Sequence, residues 1–569
     1  MAKKSKTLAA SDLLHYDPQF DFRRFAQLFA LITVFTLVFA AVVSRAWIAE
    51  DGFISFRVID NLLDGYGLRW NIDERVQVFT HPLWLFVQIP FYLMAGDPFP
   101  TILISSLLCI SILLCMMIVR YHQRPWVLLF CFAVPYSLSL PLLEFSTSGL
   151  ENPLTFLLLT VFFFGITRPK ADITMLSFCG ALIGLNRLDT LIFVLPSLLL
   201  LWLRSPTGGS ALKVLKGMLP FFLWNLFSFI YYGFMLPNTY YAKLHTGVKT
   251  MDYIAQGYIY VQGIFHHDPI STLIILAPLP ILYFMMSRVL KQSRASKHGN
   301  SWKEDLCFFL CKCIAHKDAN LIAWSVSIVG YIFYVVYVGG DFMAGRFFTP
   351  VLIASLLLLT EVVANLPMKK RKEWARPYLF GLALLVLVRG VTIGYWDRYD
   401  WKSGVINEWI YYHDYCWLWN DKGRIPSDYD WAKWALRDSM KAKLMPSNEY
   451  LVLQFNNVGL YGYFSHKQVV VVDGHALTDP LLARLPIRRI HEWRIGHFMR
   501  VIPDGYLYAR EKGDTSRMQK DLAEYYKALR TITAGHLLSA ERIKTMYLWY
   551  WGYYDHYRDA YIKAADIGV

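Results

Sequence analysis

The chain has 569 residues, of which 55% are hydrophobic and only 18% charged. Apolar runs long enough to cross the roughly 30 Å core of a bilayer recur from Phe25 to about Tyr395, which excludes an ordinary soluble protein and predicts a polytopic α-helical membrane protein. The formal charge of +14 does not indicate nucleic acid, because Lys and Arg concentrate in short loops between apolar runs, where they orient membrane proteins.

Residues 1–24 open with Met1-Ala-Lys-Lys-Ser-Lys6, basic but without an adjacent apolar core or a cleavage site, and read as a cytoplasmic tail. About eleven spans follow. They lie near Phe25–Trp47, Thr101–Val119, Trp126–Pro141, Pro153–Ile166, Ile173–Asn186, Leu188–Leu203, Leu215–Tyr232, Ser271–Ser287, Leu321–Val338, Thr349–Leu366 and Tyr378–Tyr395. Pro82–Gly96 is apolar but short and contains Pro90, so it is placed as a juxtamembrane helix on the outer surface. That choice puts Lys3, Arg23 and Arg24, then Arg120 with Arg124, Arg168 with Lys170, Lys213 with Lys216, Arg288 to Lys317 and Lys369–Lys372 on one side, the inside. If Pro82–Gly96 crossed, every later basic loop would face out.

The same parity leaves four loops outside: Glu50–His81, Leu142–Asn152, Gly233–Asp268 and Gly339–Phe347. Trp396 to Val569 is also outside. Its strand-like runs Tyr450–Gln454 and Gln468–Val472 and its helix-like Glu524–Leu529 predict a small extracytoplasmic α/β domain. The organisation is therefore a tail at 1–24, a membrane domain at 25–395 with its first outer loop at 48–81, and a soluble domain at 396–569. Cys109, Cys115, Cys131 and Cys179 fall in apolar runs and read as small core residues. Cys416 alone in the soluble region rules out an internal disulfide there. Cys307, Cys311, Cys313 and His316 have a metal-ligand composition, but their apolar setting and spacing argue against zinc.

Glu50 and Asp51 stand where the first span leaves the bilayer. Ionisable groups there are costly and read as functional by default; the alternative is Asp51 as the cap of a helix starting at Gly52. The other outer loops add Glu144, Glu151, Asp341, Arg346 and Lys243. Sugar transfer from a lipid phosphate needs a carboxylate to deprotonate or orient a hydroxyl, and cations to hold the departing phosphate. Arg57, Lys243 and Arg346 are candidates for the phosphate, whereas Arg187 more simply pairs with Asp189 at a span end. Gly339, Gly340 and Gly345 either let the chain turn or bring its backbone close to a ligand. Trp47, Trp70 and Trp84 are candidates to stack on sugar.

Read together, Trp47-Ile-Ala-Glu-Asp-Gly52, Asn61-Leu-Leu-Asp-Gly-Tyr-Gly67, Asn71-Ile-Asp-Glu-Arg-Val76, Thr147-Ser-Gly-Leu-Glu151, Tyr231-Tyr-Gly233 with Pro237 and Ala242-Lys243, and Gly339-Gly-Asp-Phe-Met-Ala-Gly-Arg346 form an ordered set. With Val472-Asp-Gly-His-Ala-Leu-Thr-Asp-Pro480 and Arg494-Ile-Gly-His497, the set resembles the terminal arabinofuranosyltransferases (AftB type) of the mycobacterial cell wall, which are GT-C glycosyltransferases. The resemblance runs from about Arg45 to Pro503. It implies a GT-C-like membrane domain and a polyprenyl-phosphate sugar donor, of the decaprenyl-phosphoryl arabinofuranose type. It implies transfer to a cell-envelope glycan or glycoconjugate on the outer face of the bacterial inner membrane. It also places the catalytic carboxylate at Glu50-Asp51, where the family pattern resembles Asp-Asp; Asp51 keeps the matching acid. Arg57, Lys243 and Arg346 would bind the donor phosphate, and Glu144, Glu151, Asp341, His81, Asp473 and His497 the substrates, the soluble domain holding the acceptor. No cofactor is required and no metal ligands are assigned, although a divalent cation is compatible with the acidic loops. The composition, rich in Phe, Tyr, Leu, Ile and Lys, leaves the acceptor open among arabinan, another furanose-bearing polymer, lipopolysaccharide and glycosylated pilin. The rival readings are a flippase for a lipid-linked sugar, which expects ionisable residues inside the spans, and a non-catalytic scaffold of a wall-synthesis complex.

Overall fold

The computed structural model describes residues 22–565 apart from 205, 245, 295–313, 372, 374–403 and 488–492. Tyr378–Tyr395, Cys307, Cys311 and Cys313 lie outside the described residues.

Helix is the dominant element, as the apolar runs require. Phe22–Ser44 buries Ala30, Val34, Val38 and Val42, one residue every four, while Phe22, Phe25, Phe29 and Ile32 stay exposed. That is the pattern of a helix with one face on protein and the other toward lipid. Among the described residues five helices are long and apolar enough to cross a membrane: Phe22–Ser44, Pro98–Tyr121, Pro269–Lys291, Ala319–Tyr337 and Arg346–Asn365. The expected span Leu215–Tyr232 is bent. Gly208–Gly217 and Leu219–Tyr232 meet at 56°, where Pro220 lacks the amide needed to continue the ladder.

Four other expected spans are helices too short to cross alone: Pro125–Leu138, Asn152–Ile166, Ile173–Asn186 and Leu188–Leu203. Fifteen residues of α-helix rise about 22 Å, against roughly 30 Å of hydrocarbon. Asn152–Ile166 is buried on nearly every face, so its apolarity serves the protein interior as well as a bilayer. Pro82–Ala95 is likewise a separate short helix with Pro90 inside it. At the end of the bundle away from the acidic loops, Arg120 bonds Glu361 at 3.1 Å and Thr167 at 3.0 Å, and the Tyr121 hydroxyl donates to Glu361 at 2.6 Å. This fastens three helices together.

The two strand-like runs are strands. β1 (Leu451–Gln454) pairs in parallel with β2 (Val469–Val472), whose four valines are all buried. Alternate residues face opposite sides of a strand. Val469 and Val471 pack with Phe53, Phe56 and Trp70 from the first outer loop, and Val472 packs with Leu522 and Leu529 from the helix Lys520–Ala534. Glu524–Leu529 is thus helical as expected. The first outer loop and the C-terminal region therefore share one core.

Buried charge reinforces that joint. Arg510, fully enclosed, pairs with Glu74 and, at 3.1 Å, with Asp73; Arg530 reaches Asp73 at 3.0 Å. The motif Asn71–Val76 is explained by this role: Asn71 also brackets Val471, donating to its carbonyl at 3.1 Å and accepting its amide at 3.2 Å. Cys416 is a buried free thiol packed with Trp47 and Ala49.

Candidate active site

The chain leaving Phe22–Ser44 is held extended on both sides. The Ala49 amide donates to the Ser148 carbonyl at 2.8 Å, and the Ile48 amide to the Cys416 carbonyl at 3.0 Å. Gly149, at φ +85°, lies so near Gly52 that an added Cβ would stand 3.4 Å from the Gly52 Cα and 3.0 Å from Ile102. The first and second outer loops thus meet backbone to backbone, and Glu50 and Asp51 are set on a braced segment.

Asp51 occupies the N-cap position of the helix Gly52–Leu63, yet its side chain caps nothing. The helix-capping alternative is therefore excluded by the geometry. Asp51 keeps part of its surface open to solvent. Burial raises its pKa, the charges of Arg346 and Lys243 pull it down, and Asp341 and Glu151 push it up. Glu50 is enclosed, and its Oε1 accepts the Leu460 amide at 2.9 Å. Burial, then the Asp51 charge, pushes the Glu50 carboxyl up to about 8, so it is mostly protonated near neutral pH.

Arg346 follows the turn Gly339–Gly345, in which Gly339, Gly340 and Gly345 all have positive φ, so those glycines do let the chain turn. The Tyr260 hydroxyl fixes this loop, donating to the Met343 carbonyl at 3.0 Å and accepting the Phe347 amide at 3.1 Å. Arg346 reaches Asp341 at 3.4 Å and Glu151 at 3.5 Å. Its Nε is buried without a hydrogen-bond partner among the described residues. Glu151 also meets Arg187 at 3.2 Å and His81 at 3.5 Å. Burial alone would raise Glu151, but Arg346, Arg187 and His81 outweigh it and hold the carboxyl at about 2. Arg187 pairs with Asp189 at 2.8 Å, as expected, and is in addition part of this network. Burial lowers the His81 pKa and Glu151 opposes this; its ring is held at 3.0 Å from the Ser55 hydroxyl.

Lys243 stands on the helix Asn238–Leu244, whose Asn238 Nδ2 donates to the carbonyls of Ala476, Leu477 and Asp479. One residue thereby ties the Lys243 helix to the loop after β2. Among the described residues Lys243 makes no ion pair, and its charge is felt by Asp51 and His497. In the loop, Asp473 is fully buried and accepts amides from His475, Leu477 and Thr478 at 2.8, 2.7 and 3.2 Å; burial still pushes it up to about 7. His475 and His497 meet edge to face at 5.0 Å. Burial lowers them to about 4 and about 3, so both are neutral imidazoles.

The fold therefore gathers Glu50, Asp51, Glu151, Asp341, Arg346, Lys243, His81, Asp473 and His497 about one partly open centre. Two sequence candidates are placed elsewhere. Arg57 is buried with its guanidinium donating to the carbonyls of Trp70 and Val469, each at 2.8 Å, and of Gly462 and Ser465. It holds the outer loop to the C-terminal region and presents nothing to a phosphate. Glu144 turns to Arg45 at 3.7 Å and Asn407 at 3.5 Å. Trp47, Trp70 and Trp84 are core residues rather than sugar platforms; the indole of Trp84 donates to the Gly149 carbonyl at 2.9 Å. Among the described residues no three His, Cys, Asp or Glu side chains converge to hold a metal.

No protein-family model matches the chain, and no solved structure matches it. It is 25% identical over 544 residues to the terminal beta-(1->2)-arabinofuranosyltransferase of Mycobacterium tuberculosis, covering 81% of this chain and 82% of the relative. It is 24% identical over 548 residues to the terminal beta-(1->2)-arabinofuranosyltransferase of Corynebacterium glutamicum, covering 82% of this chain and 75% of the relative. The chain is similar to the terminal arabinofuranosyltransferases over most of its length. The motifs that carried this resemblance divide in two: Asn71–Val76 and Tyr231–Gly233 build the scaffold, while Glu50-Asp51, Glu151, Lys243, Asp341–Arg346 and the loop after β2 surround the centre. Sequence reading missed Glu408, on which the charges of Asp51, Glu50 and Asp341 act; no motif surrounds it. It also passed over His475, although that residue stands inside a motif already singled out.

Proposed function

We propose that this protein is a membrane glycosyltransferase moving arabinofuranose from a polyprenyl-phosphate donor to a glycan or glycoconjugate of the cell envelope, on the outer face of the bacterial inner membrane. One observation carries the reading: Asp51 sits at a helix cap it does not fill, partly open, with the charges of Arg346 and Lys243 acting on it. The donor phosphate would lie against Arg346 and Lys243. As the bond from the sugar carbon to the phosphate oxygen breaks, negative charge gathers on the phosphate, and these fixed cations stabilise it where it develops. Asp51 engages the reacting sugar or the acceptor hydroxyl. Glu50, protonated and accepting the Leu460 amide, adds no second charge beside Asp51. The names of the two relatives support the sugar.

The test is transfer of label from a purified polyprenyl-phosphoryl pentofuranose to an oligosaccharide acceptor. Wild-type protein is expected to form product, and Asp51→Asn at equal protein level to lose at least about a hundredfold in rate, the lower end of what a general acid or base contributes. Wild-type rates from Asp51→Asn would refute the assignment. Movement of donor lipid across a liposome without product would replace the transferase by a flippase.

A further inference from the structure

Glu408 is the acid that the proposed chemistry leaves without a task. It opens the helix Glu408–Cys416, whose start is fixed by the Asn407 side chain accepting the Ile410 amide at 3.4 Å. The preceding backbone is paired with the loop of Asp341 and Arg346: the Ile406 amide donates to the Phe342 carbonyl at 2.7 Å, and the Ala344 amide to the Ile406 carbonyl at 2.8 Å. On its other flank, Trp409 stacks on Arg45 at 4.2 Å, and Tyr412 is buried with Trp47 and Ala49. The position of Glu408 is therefore set by the same elements that set Asp51 and Arg346.

Its Oε2 is buried and has no hydrogen-bond partner among the described residues, while the residue as a whole is partly open. A buried polar atom without a partner is costly unless something supplies one. Burial is the largest influence on Glu408, followed by the charges of Asp51, Glu50 and Asp341; all of these favour the protonated acid, and Arg346 opposes them. A protonated carboxyl donates one hydrogen bond and accepts others, which matches a sugar hydroxyl, itself both donor and acceptor. An anion would meet three further carboxyls there.

Resting on the transferase reading, we propose that Glu408 is a sugar-binding residue whose Oε2 bonds a hydroxyl of a furanose held between it and Asp51. That furanose belongs either to the lipid donor or to the acceptor.

Equilibrium binding separates these sources without requiring turnover. Dissociation constants are measured in nanodiscs for a polyprenyl-phosphoryl pentofuranose and, separately, for a pentofuranose oligosaccharide, using wild type, Glu408→Ala and Glu408→Gln. Glu408→Ala is expected to weaken one of the two ligands at least tenfold. Glu408→Gln, which still donates and accepts, is expected to stay within about threefold of wild type. Weakening of the lipid assigns the hydroxyl to the donor, and weakening of the oligosaccharide assigns it to the acceptor. Unchanged constants for both ligands in Glu408→Ala would overturn the proposal, as would equal weakening by Ala and Gln. Should Glu408→Ala fail to fold, Glu408→Asp, which withdraws the carboxyl by one methylene, is read against the same threshold. A wild-type protein that binds both ligands but forms no product would sink the transferase reading alone.

Discussion

Adjacent carboxyls repel, and the fold separates Glu50 from Asp51 by environment. Glu50 is enclosed and bonded to the Leu460 amide, with its pKa near 8; Asp51 is partly open and faces two cations. Glu50→Gln should therefore leave the rate at pH 7 within about threefold of wild type, because the native side chain is already neutral there; a large loss would show that Glu50 acts as an anion. Asp51 must be ionised to act, and its pKa is raised above the ordinary 3.8 by burial. The acid limb of kcat/KM should lie above that value. Arg346→Gln removes a charge that lowers Asp51, so the limb should move to higher pH as well as weaken donor binding; a limb that stays in place in pH–rate profiles would contradict the pairing. The acids and cations on the outer loops were legible in the sequence because a charge beside hydrocarbon demands a reason. Arg57 was misread because the same demand is met by carbonyls that only the folded chain brings to it.

At the level of elements, the centre depends on backbones that touch. A Cβ on Gly459 would fall 2.0 Å from the Glu50 carbonyl oxygen, with no flexible side chain to yield. Gly459→Ala should displace the Glu50-Asp51 segment, cost about 1–3 kcal/mol as overpacking does, and reduce transfer far more than it lowers the melting temperature. Wild-type activity in that variant would show that the segment tolerates movement. The strands were expected from the runs Tyr450–Gln454 and Gln468–Val472, and only Glu524–Leu529, the middle of the helix Lys520–Ala534, was expected to be helical. That four expected spans are short helices was not legible, because an apolar run of fifteen residues carries no mark telling a lipid-facing span from a helix sheathed by neighbours. The bend at Met218, by contrast, is foreshadowed by Gly217 and Pro220.

Across the whole molecule, the membrane helices and the C-terminal region are one structure joined through the first outer loop. Arg510 is the clearest test, since it is enclosed with Asp73 and Glu74 around it. Arg510→Ala leaves two buried carboxyls with Arg530 as their remaining partner and should cost about 3 kcal/mol, read as a large fall in the thermal unfolding midpoint in detergent; an unchanged midpoint would mean that the Arg510 pairs hold nothing. Stability should also depend on pH through Glu50 and Asp473, whose folded pKa values are raised to about 8 and about 7. The folded state keeps protons on these two carboxyls that the unfolded chain has already released, so their contribution to stability is full below the ordinary carboxyl range and is lost as pH rises through about 8. Glu50→Gln should flatten that slope in unfolding midpoints taken at pH 5 and pH 8. The sequence by itself determined that the chain is a helical membrane protein, which loops carry its acids and cations, and which transferases it resembles, because hydropathy and local motifs are written residue by residue. Tertiary structure alone decided that Asp51 caps nothing, that Arg57 is structural and that Glu408 lies within reach of the Asp51 charge. Those facts depend on partners hundreds of residues away, and no local pattern encodes the distance between them.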